Sequence, residues 1–575
     1  MSFEFSSLTR IQNIKTLKTE PLDVLVIGGG IVGAGLIRDL ALNGRIKAGL
    51  IEQGDFASGT SGASSQLIHG GFRYLAKRDI GLVKQARKER EILLHIAPNL
   101  VKPIPLAILR YKGDPYPLAG IQLAARYYNH LSKSDTAEKS QLLRDVHKIQ
   151  NMVGPVATDT LKGCVVLWDS KVDDARLTIA TLKDAYQNGG IVANYVQFLH
   201  FITQPDTSNP THRIMAKDVI SGECFEVAAR KIVSTAGPWT DQLWRKDPSY
   251  DGVPRLETKN AKGIHLILPR CFAENTPNQY GIVTLTHAEK SYNGKQRAIF
   301  ILPGEHNTSI VGTTETTPEG GPESVRPSAK EVTYLLSEAK RVFPSMSLDR
   351  SSIIGTYAGI RPLIASNNSK QLSENESHNF VSREHLIAES PSGILYVYGG
   401  KLTTHRLIAE ETVDYLAEAL SVPRECKTAV CPLPSAISEA LCVDDTDTVI
   451  RSKHQSIVNL LQDSNKERLI QRYGYRGYQT IQEFVSQDAT LAEPIATSLP
   501  FVKAEILYAY RQEMAITLED LLWRRTRIGW TQGQGLDIAP QIAQFLSKWK
   551  NWNQARGAAE VEKYTHRIRW LNHNL

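Results

Sequence analysis

The first fifty residues alternate between short continuous apolar runs and helically spaced apolar positions. Asp23-Val24-Leu25-Val26-Ile27 is a β-branched run of the kind that forms a buried parallel strand. Gly28-Gly29-Gly30-Ile31-Val32-Gly33 follows, and Ala34 to Leu42 carries apolar residues at helical spacing. A second apolar run, Ala48-Gly49-Leu50-Ile51, ends in Glu52. The pattern predicts strand, glycine turn, helix, strand and terminal acid.

Later segments repeat both periods. Lys77 to Ile96 predicts an amphipathic helix, Ile104 to Arg110 a strand, and Leu118 to Leu131 a second helix. Val165 to Asp169 predicts a strand where a nucleotide domain resumes, and Asp173 opens a helix running to about Asn188. Gly189 to Val196 and Lys231 to Trp239, the latter ending in a Gly-Pro turn, predict further strands of that domain. Gly263 to Pro269, Ala298 to Pro303 and Ser309 to Thr314 predict neighbouring strands of an antiparallel sheet. The chain then returns to the nucleotide domain at Tyr357 to Leu363 and at Ile394 to Tyr398, with a helix starting near Lys401. Ser366 to His378 is a low-complexity polar loop. Met1 to Pro21 is expected as a surface arm, and the tail beyond about Lys427 as mainly helical.

The chemistry begins at the glycine turn. Gly28 allows a tight turn, Gly30 lets the backbone approach a pyrophosphate, and Gly33 lets helix pack on strand. The helix N-terminus offers free N–H groups to phosphates, and Glu52 is placed to accept hydrogen bonds from a ribose diol. A hydroxyl-rich run, Phe56 to Ser65, leads into Gln66-Leu67-Ile68-His69-Gly70-Gly71-Phe72-Arg73-Tyr74.

Composition narrows the class. At 575 residues the chain requires two or three structural units. Its net charge of +7, from 67 Lys+Arg against 60 Asp+Glu, suits anionic substrates or an anionic membrane surface and is too weak to imply nucleic acid. The six cysteines are scattered, so no metal centre is expected and a reduced compartment fits. No signal peptide is evident, and no apolar run reaches membrane-spanning length.

The block "ASGTSGASSQLIHGGFRYL" resembles the FAD-dependent glycerol-3-phosphate dehydrogenases. "DSKVDDARLT", "KGIHLILP", "VGTTE", "GGKLTTHR" and "TLEDLLWRRTRIGW" are similar to that family's motifs elsewhere. Two positions depart from it: Glu315 stands where Asp is usual, and His405 where an aromatic Tyr is usual. The resemblance implies an α/β + α architecture. Its parts are a discontinuous Rossmann-type, glutathione-reductase-like FAD-binding domain (22–80, 160–260, 350–415), an antiparallel-sheet substrate or cap domain (81–159, 261–349) and a C-terminal helical domain (425–575).

It also implies cofactor contacts at Gly28, Gly30, Gly33, Glu52, Thr60, Ser61, Ser65, Leu67, Ala236, Gly237, Gly400, Leu402 and Thr403. Arg73, Tyr74, Arg361, Arg383 and Lys401 are implied as substrate residues, with His69, Arg361 and Lys401 in catalysis. His69 suits a general base because imidazole accepts a proton at neutral pH; Lys401 is the alternative if desolvated. The implied reaction is oxidation of sn-glycerol 3-phosphate to dihydroxyacetone phosphate, with hydride passing from C2 to FAD N5. A quinone at the cytoplasmic face of the membrane is the implied acceptor, and the rival is an oxidase of the same family that makes peroxide from oxygen. Five tryptophans in the tail (Trp523, Trp530, Trp549, Trp552, Trp570), interleaved with Lys and Arg, read either as an interfacial surface or as a helical core. A homodimer is left open.

Overall fold

A computed structural model describes residues 4–75, 79–131, 139–203, 211–252, 258–272, 279–286, 296–364, 380–381, 385–436, 461, 463–548 and 552–575. After the helix Ser7–Thr19 come β1 (Leu22–Ile27), the helix Ile31–Asn43 and β2 (Ala48–Ile51). β3 (Leu67–Ile68) leads into the short helix Phe72–Leu75 and the helix Ile80–Ile96. β4 (Val101–Tyr111), the helix Leu118–His130, β5 (Gln141–Leu143), the helix Val146–Val153 and β6 (Leu161–Val172) follow. The helix Asp174–Gln187 returns the chain to β7 (Ile191–Ala193), β8 (Val196–Thr203), β9 (His212–Asp218) and β10 (Cys224–Ser234). Next are β11 (Thr258–Pro269), β12 (Gly281–Leu285), β13 (Ala298–Pro303) and β14 (Thr308–Gly312). The helix Ala329–Val342 and β15 (Gly355–Ile364) precede β16 (Phe380–Val381), β17 (His385–Glu389), β18 (Ile394–Gly399) and the helix His405–Ala419. The C-terminal unit is helical, through Asp463–Gln487, Lys503–Gln512, Ala539–Leu546 and Gln554–Leu571.

Two sheets organise the described chain. The first runs β16-β17-β18-β10-β1-β2-β7, with β9 beside β10 and β8 beside β9. β18, β10, β1, β2 and β7 pair in parallel, which places the apolar run of β1 in the middle, buried by neighbours on both sides. The helix Ile31–Asn43 covers this sheet, packed against Asp174–Gln187 and His405–Ala419. It ends where Gly44 takes a left-handed conformation (φ 70°), the usual glycine stop. The second sheet runs β15-β11-β14-β13-β12-β4-β6-β3, with β5 beside β6. It is antiparallel except where β12 lies parallel to β4.

Several expectations are corrected. Val165 to Asp169 lies in β6 and Tyr357 to Leu363 in β15, so both strands belong to the second sheet and not to the nucleotide-binding one. Gly189 to Val196 is broken into β7 and β8 around Tyr195, whose φ is 54°. The supposed surface arm contains a helix docked on the first sheet. Arg10 donates to the Asn194 carbonyl (2.7 Å), Asn13 donates to the Val192 carbonyl (2.8 Å), and Ile14 and Leu17 are buried.

The tail tryptophans divide. Trp523, Trp530 and Trp552 are 7%, 1% and 1% exposed, so for them the interfacial reading gives way to the core reading. Trp549 lies outside the described residues. Trp570 is half-buried between the guanidinium groups of Arg326 and Arg567. No helix among the described residues is long and apolar enough to cross a membrane.

Candidate active site

The glycine turn is built as the spacing predicts. Gly28 has φ 119°, and a Cβ there would meet the Thr235 carbonyl. A Cβ at Gly33 would overlap the Gly28 carbonyl oxygen, so the helix can approach the turn this closely only with glycine. Glu52 is fixed by two amides: Gly29 N–H donates to Oε2 at 2.7 Å and Gly54 N–H to Oε1 at 2.8 Å. Each oxygen keeps lone-pair capacity for a diol. Burial raises the Glu52 pKa, and these two amide bonds oppose the rise.

The hydroxyl loop is tied into both sheets. Ser61 Oγ accepts the Ile31 N–H at 2.8 Å, at the start of the helix Ile31–Asn43. Thr60 Oγ1 donates to the Ile360 carbonyl at 2.6 Å. Ser65 Oγ lies 2.9 Å from His265 Nε2, and Leu67 opens β3 in the second sheet. Across the turn, Thr235 Oγ1 donates to the Gly28 carbonyl at 3.0 Å, and Ala236 and Gly237 (φ 53°) follow it at the end of β10.

His69 and Tyr74 meet the turn that leaves β18. Gly399 and Gly400 have φ 70° and 99°, and the chain bends through Lys401 to Thr404 before the helix begins at His405, four residues later than expected. His69 N–H donates to Thr403 Oγ1 at 3.2 Å, and the same hydroxyl lies 3.4 Å from the His69 carbonyl. Lys401 Nζ stands 4.2 Å from the centroid of the Tyr74 ring. Leu402 is half-buried beside them. The Gly70 N–H donates to Asp169 Oδ1 (2.8 Å), itself held by Tyr128 (3.0 Å), so a buried carboxylate fixes the bend after His69. Arg73 falls in the helix Phe72–Leu75, with its side chain outside the description, and Arg383 lies outside the described residues.

Arg361, on β15, donates to Thr313 Oγ1 (3.1 Å) and to the Thr314 carbonyl (3.4 Å). Its neighbour His265, on β11, is a site residue that sequence reasoning passed over. Its ring stacks on Tyr357 at 4.7 Å and 11°. Burial, reinforced by the Arg361 guanidinium, pulls its pKa down to about 3, so the ring is neutral. The sequence signal was the histidine inside "KGIHLILP", which reads as a strand and as a family motif, with no role given to the ring. His405, one of the two departures from the family's motifs, is also buried; its pKa is drawn down to about 4 by burial, and its Nδ1 bonds the Leu402 carbonyl at 2.8 Å.

A parallel sheet with a glycine turn, an acid that ends its second strand and a hydroxyl loop bridging to a second sheet define a dinucleotide-binding protein of Rossmann type. A family model described as FAD dependent oxidoreductase matches residues 23–415, and one for the C-terminal domain of alpha-glycerophosphate oxidase matches residues 426–557. The chain is 31% identical to the glycerol-3-phosphate dehydrogenase of Synechocystis sp., covering 96% of this chain and 97% of that one. The solved glycerol-3-phosphate dehydrogenase from Bacillus halodurans, complexed with FAD, superposes with a TM-score of 0.75 at 26% identity, covering 99% of each chain. An L-alpha-glycerophosphate oxidase from Mycoplasma pneumoniae shares the fold (TM-score 0.52, 17% identity, 69% of this chain and 95% of that one). The chain belongs to the FAD-dependent glycerol-3-phosphate dehydrogenase family, as the sequence motifs imply.

Proposed function

We propose that the protein oxidises sn-glycerol 3-phosphate at C2 to dihydroxyacetone phosphate and passes the electrons to a membrane quinone. The observation that carries this reading is the joining of two distant segments. Thr403 Oγ1 bonds the His69 backbone while Lys401 Nζ sits over the Tyr74 ring, so the segment that carries His69 and Tyr74 lies against the segment that carries Lys401 and Thr403. Gly28, Gly30, Gly33, Glu52, Thr60, Ser61, Ser65, Leu67, Ala236, Gly237, Gly400, Leu402 and Thr403 would hold FAD, which when bound would supply the two-electron acceptor for the hydride leaving C2.

The remaining work falls to side chains. The His69 imidazole takes the C2 hydroxyl proton, which a neutral ring can do near pH 7. Lys401 and Arg361 stabilise the negative charge that develops on that oxygen. Arg73 and Arg383 supply further guanidinium groups for the anionic substrate, since planar guanidinium suits bidentate contact with phosphate, and Tyr74 supplies a hydroxyl donor. Because the phosphate dianion binds through these cations, glycerol alone is a poor substrate.

Membrane contact is supported by the outer face of the helix Leu118–His130. There Leu123 is 70% and Tyr127 41% exposed, with exposed Arg126 between them and Tyr116, 54% exposed, before the helix. Such a mixture suits the headgroup region on the cytoplasmic side. Turnover with glycerol 3-phosphate in the presence of short-chain quinone and anionic vesicles tests the reading. Quinone reduction stimulated by vesicles, with little peroxide, is expected. Stoichiometric peroxide without quinone dependence would assign the protein to the oxidases instead.

A further inference from the structure

The C-terminal unit reaches the hydroxyl loop by two separate routes. Arg527 is fully buried and holds a left-handed backbone (φ 60°), a conformation that non-glycine residues seldom adopt. Its Nη2 donates to Asp173 Oδ1 at 2.9 Å and to Asp174 Oδ1 at 2.5 Å. The other oxygen of Asp174 accepts both the Ser64 N–H (3.0 Å) and the Ser64 hydroxyl (2.6 Å). One guanidinium is thereby linked, through one carboxylate, to the backbone of the loop.

The second route is aromatic. The Arg527 guanidinium lies 4.4 Å from the centroid of Trp530. The Trp530 ring stacks on Tyr357 (4.8 Å, 25°), and Tyr357 stacks on His265 (4.7 Å, 11°). His265 ends the stack at Ser65 Oγ, and the Tyr357 hydroxyl donates to the Ser64 carbonyl at 3.0 Å. The N–H, carbonyl and hydroxyl of Ser64 and the hydroxyl of Ser65 are therefore all held by groups connected to Arg527 and Trp530.

We infer that Arg527 and Trp530 are positioning residues for the Ser64–Ser65 loop, acting through Asp174 and the Tyr357–His265 stack to set how firmly FAD is held. This rests on the reading that the hydroxyl loop lines the FAD site. Fastening the C-terminal unit does not require these contacts. Arg176 and Glu513 already form a two-bond buried pair (2.7 and 2.6 Å), and Asp55 pairs with Arg524 (2.6 Å) and Arg525 (2.6 and 2.8 Å). Arg527 instead acts on Asp174: burial raises that carboxyl's pKa, and the guanidinium is the largest influence opposing the rise. A protonated Asp174 accepts hydrogen bonds more weakly and would loosen Ser64.

The test compares Arg527→Gln and Arg527→Lys with Glu513→Gln, which weakens the other pair without touching the loop. Two quantities are read on the full chain: amide hydrogen exchange of the 64–67 segment in flavin-free protein, and the Kd for added FAD. Arg527→Gln is expected to speed exchange and raise Kd, each about tenfold or more, because a buried charge-assisted bond is lost. Arg527→Lys should fall between it and the parent, while Glu513→Gln lowers Tm and leaves both readouts unchanged. Equal effects of Arg527→Gln and Glu513→Gln, or no effect of either, would overturn the inference. If Arg527→Gln does not fold, Tyr357→Phe takes its place; it removes only the bond to the Ser64 carbonyl, and unchanged exchange in it would overturn the inference equally. Exchange is measured without flavin or substrate, so a failure of the proposed reaction would not be mistaken for a failure of the relay.

Discussion

His265 should make this protein sensitive to mild acid, and the size of the effect follows from its surroundings. The ring is buried against Tyr357, bonded to Ser65, and faces the Arg361 guanidinium, so among the described residues an imidazolium there meets no compensating anion. Its pKa falls from 6.5 to about 3, whereas in the unfolded chain it titrates near 6.5. Between these values the unfolded state binds the extra proton. Stability from this group is therefore complete above pH 6.5 and declines as pH falls towards 3. At 1.36 kcal/mol per unit, lowering the pH from 7 to 5 costs about 2 kcal/mol, and the full span about 5 kcal/mol. His265→Asn removes the titration. It should lower stability at pH 7 through loss of the stack, yet flatten the dependence between pH 7 and 5 by about 2 kcal/mol relative to the parent. Urea unfolding followed by tryptophan fluorescence at the two pH values measures both, with Trp530 at the far end of the stack as a reporter. The His405 contribution, over pH 6.5 to about 4, persists in both proteins and cancels in the comparison. An identical pH dependence in His265→Asn and parent would refute the reasoning.

Three further outcomes are expected. Gly33→Ala pushes a methyl group into the Gly28 carbonyl and within 2.7 Å of Thr235 Oγ1, so the purified variant should carry no flavin, as judged by its visible absorbance. Asp55→Asn removes the carboxylate that Arg525 bonds and should cost about 3–5 kcal/mol in denaturant unfolding, since that buried guanidinium loses its ion-pair partner while Arg524 keeps Glu519 and Asp520. Lys401→Met should lower kcat/KM by roughly a hundredfold or more while flavin content holds; an unchanged kcat/KM would remove Lys401 from the chemistry.

What the sequence made legible was local. The turn from Asp23 to Glu52 could be read because its strand, glycines, helix and acid are contiguous and each has a distinct period or conformational demand. The membership of β6 and β15 was not legible, because an apolar strand looks alike in either sheet and pairing is decided by remote partners. The helix Ser7–Thr19 was missed for a different reason: beside the buried Ile14 and Leu17, its docking uses Arg10 and Asn13, whose bonds to backbone carbonyls in and beside β7 no hydrophobic pattern reports. The motif residues His69, Tyr74 and Lys401 were visible one by one. The bond from the His69 backbone to Thr403, the Lys401 ammonium over the Tyr74 ring, and the hold of Arg527 on Ser64 through Asp174 became visible only in three dimensions.

The central claim concerns one half-reaction, and anaerobic rapid mixing measures it alone. Yellow protein is mixed with glycerol 3-phosphate, and separately with glycerol, while flavin absorbance is followed. Rapid bleaching by glycerol 3-phosphate, absent with glycerol and slowed sharply in Lys401→Met, is the predicted result. Absorbance that stays constant with glycerol 3-phosphate, in protein that is folded and carries flavin, would contradict the assigned substrate and leave only the fold standing.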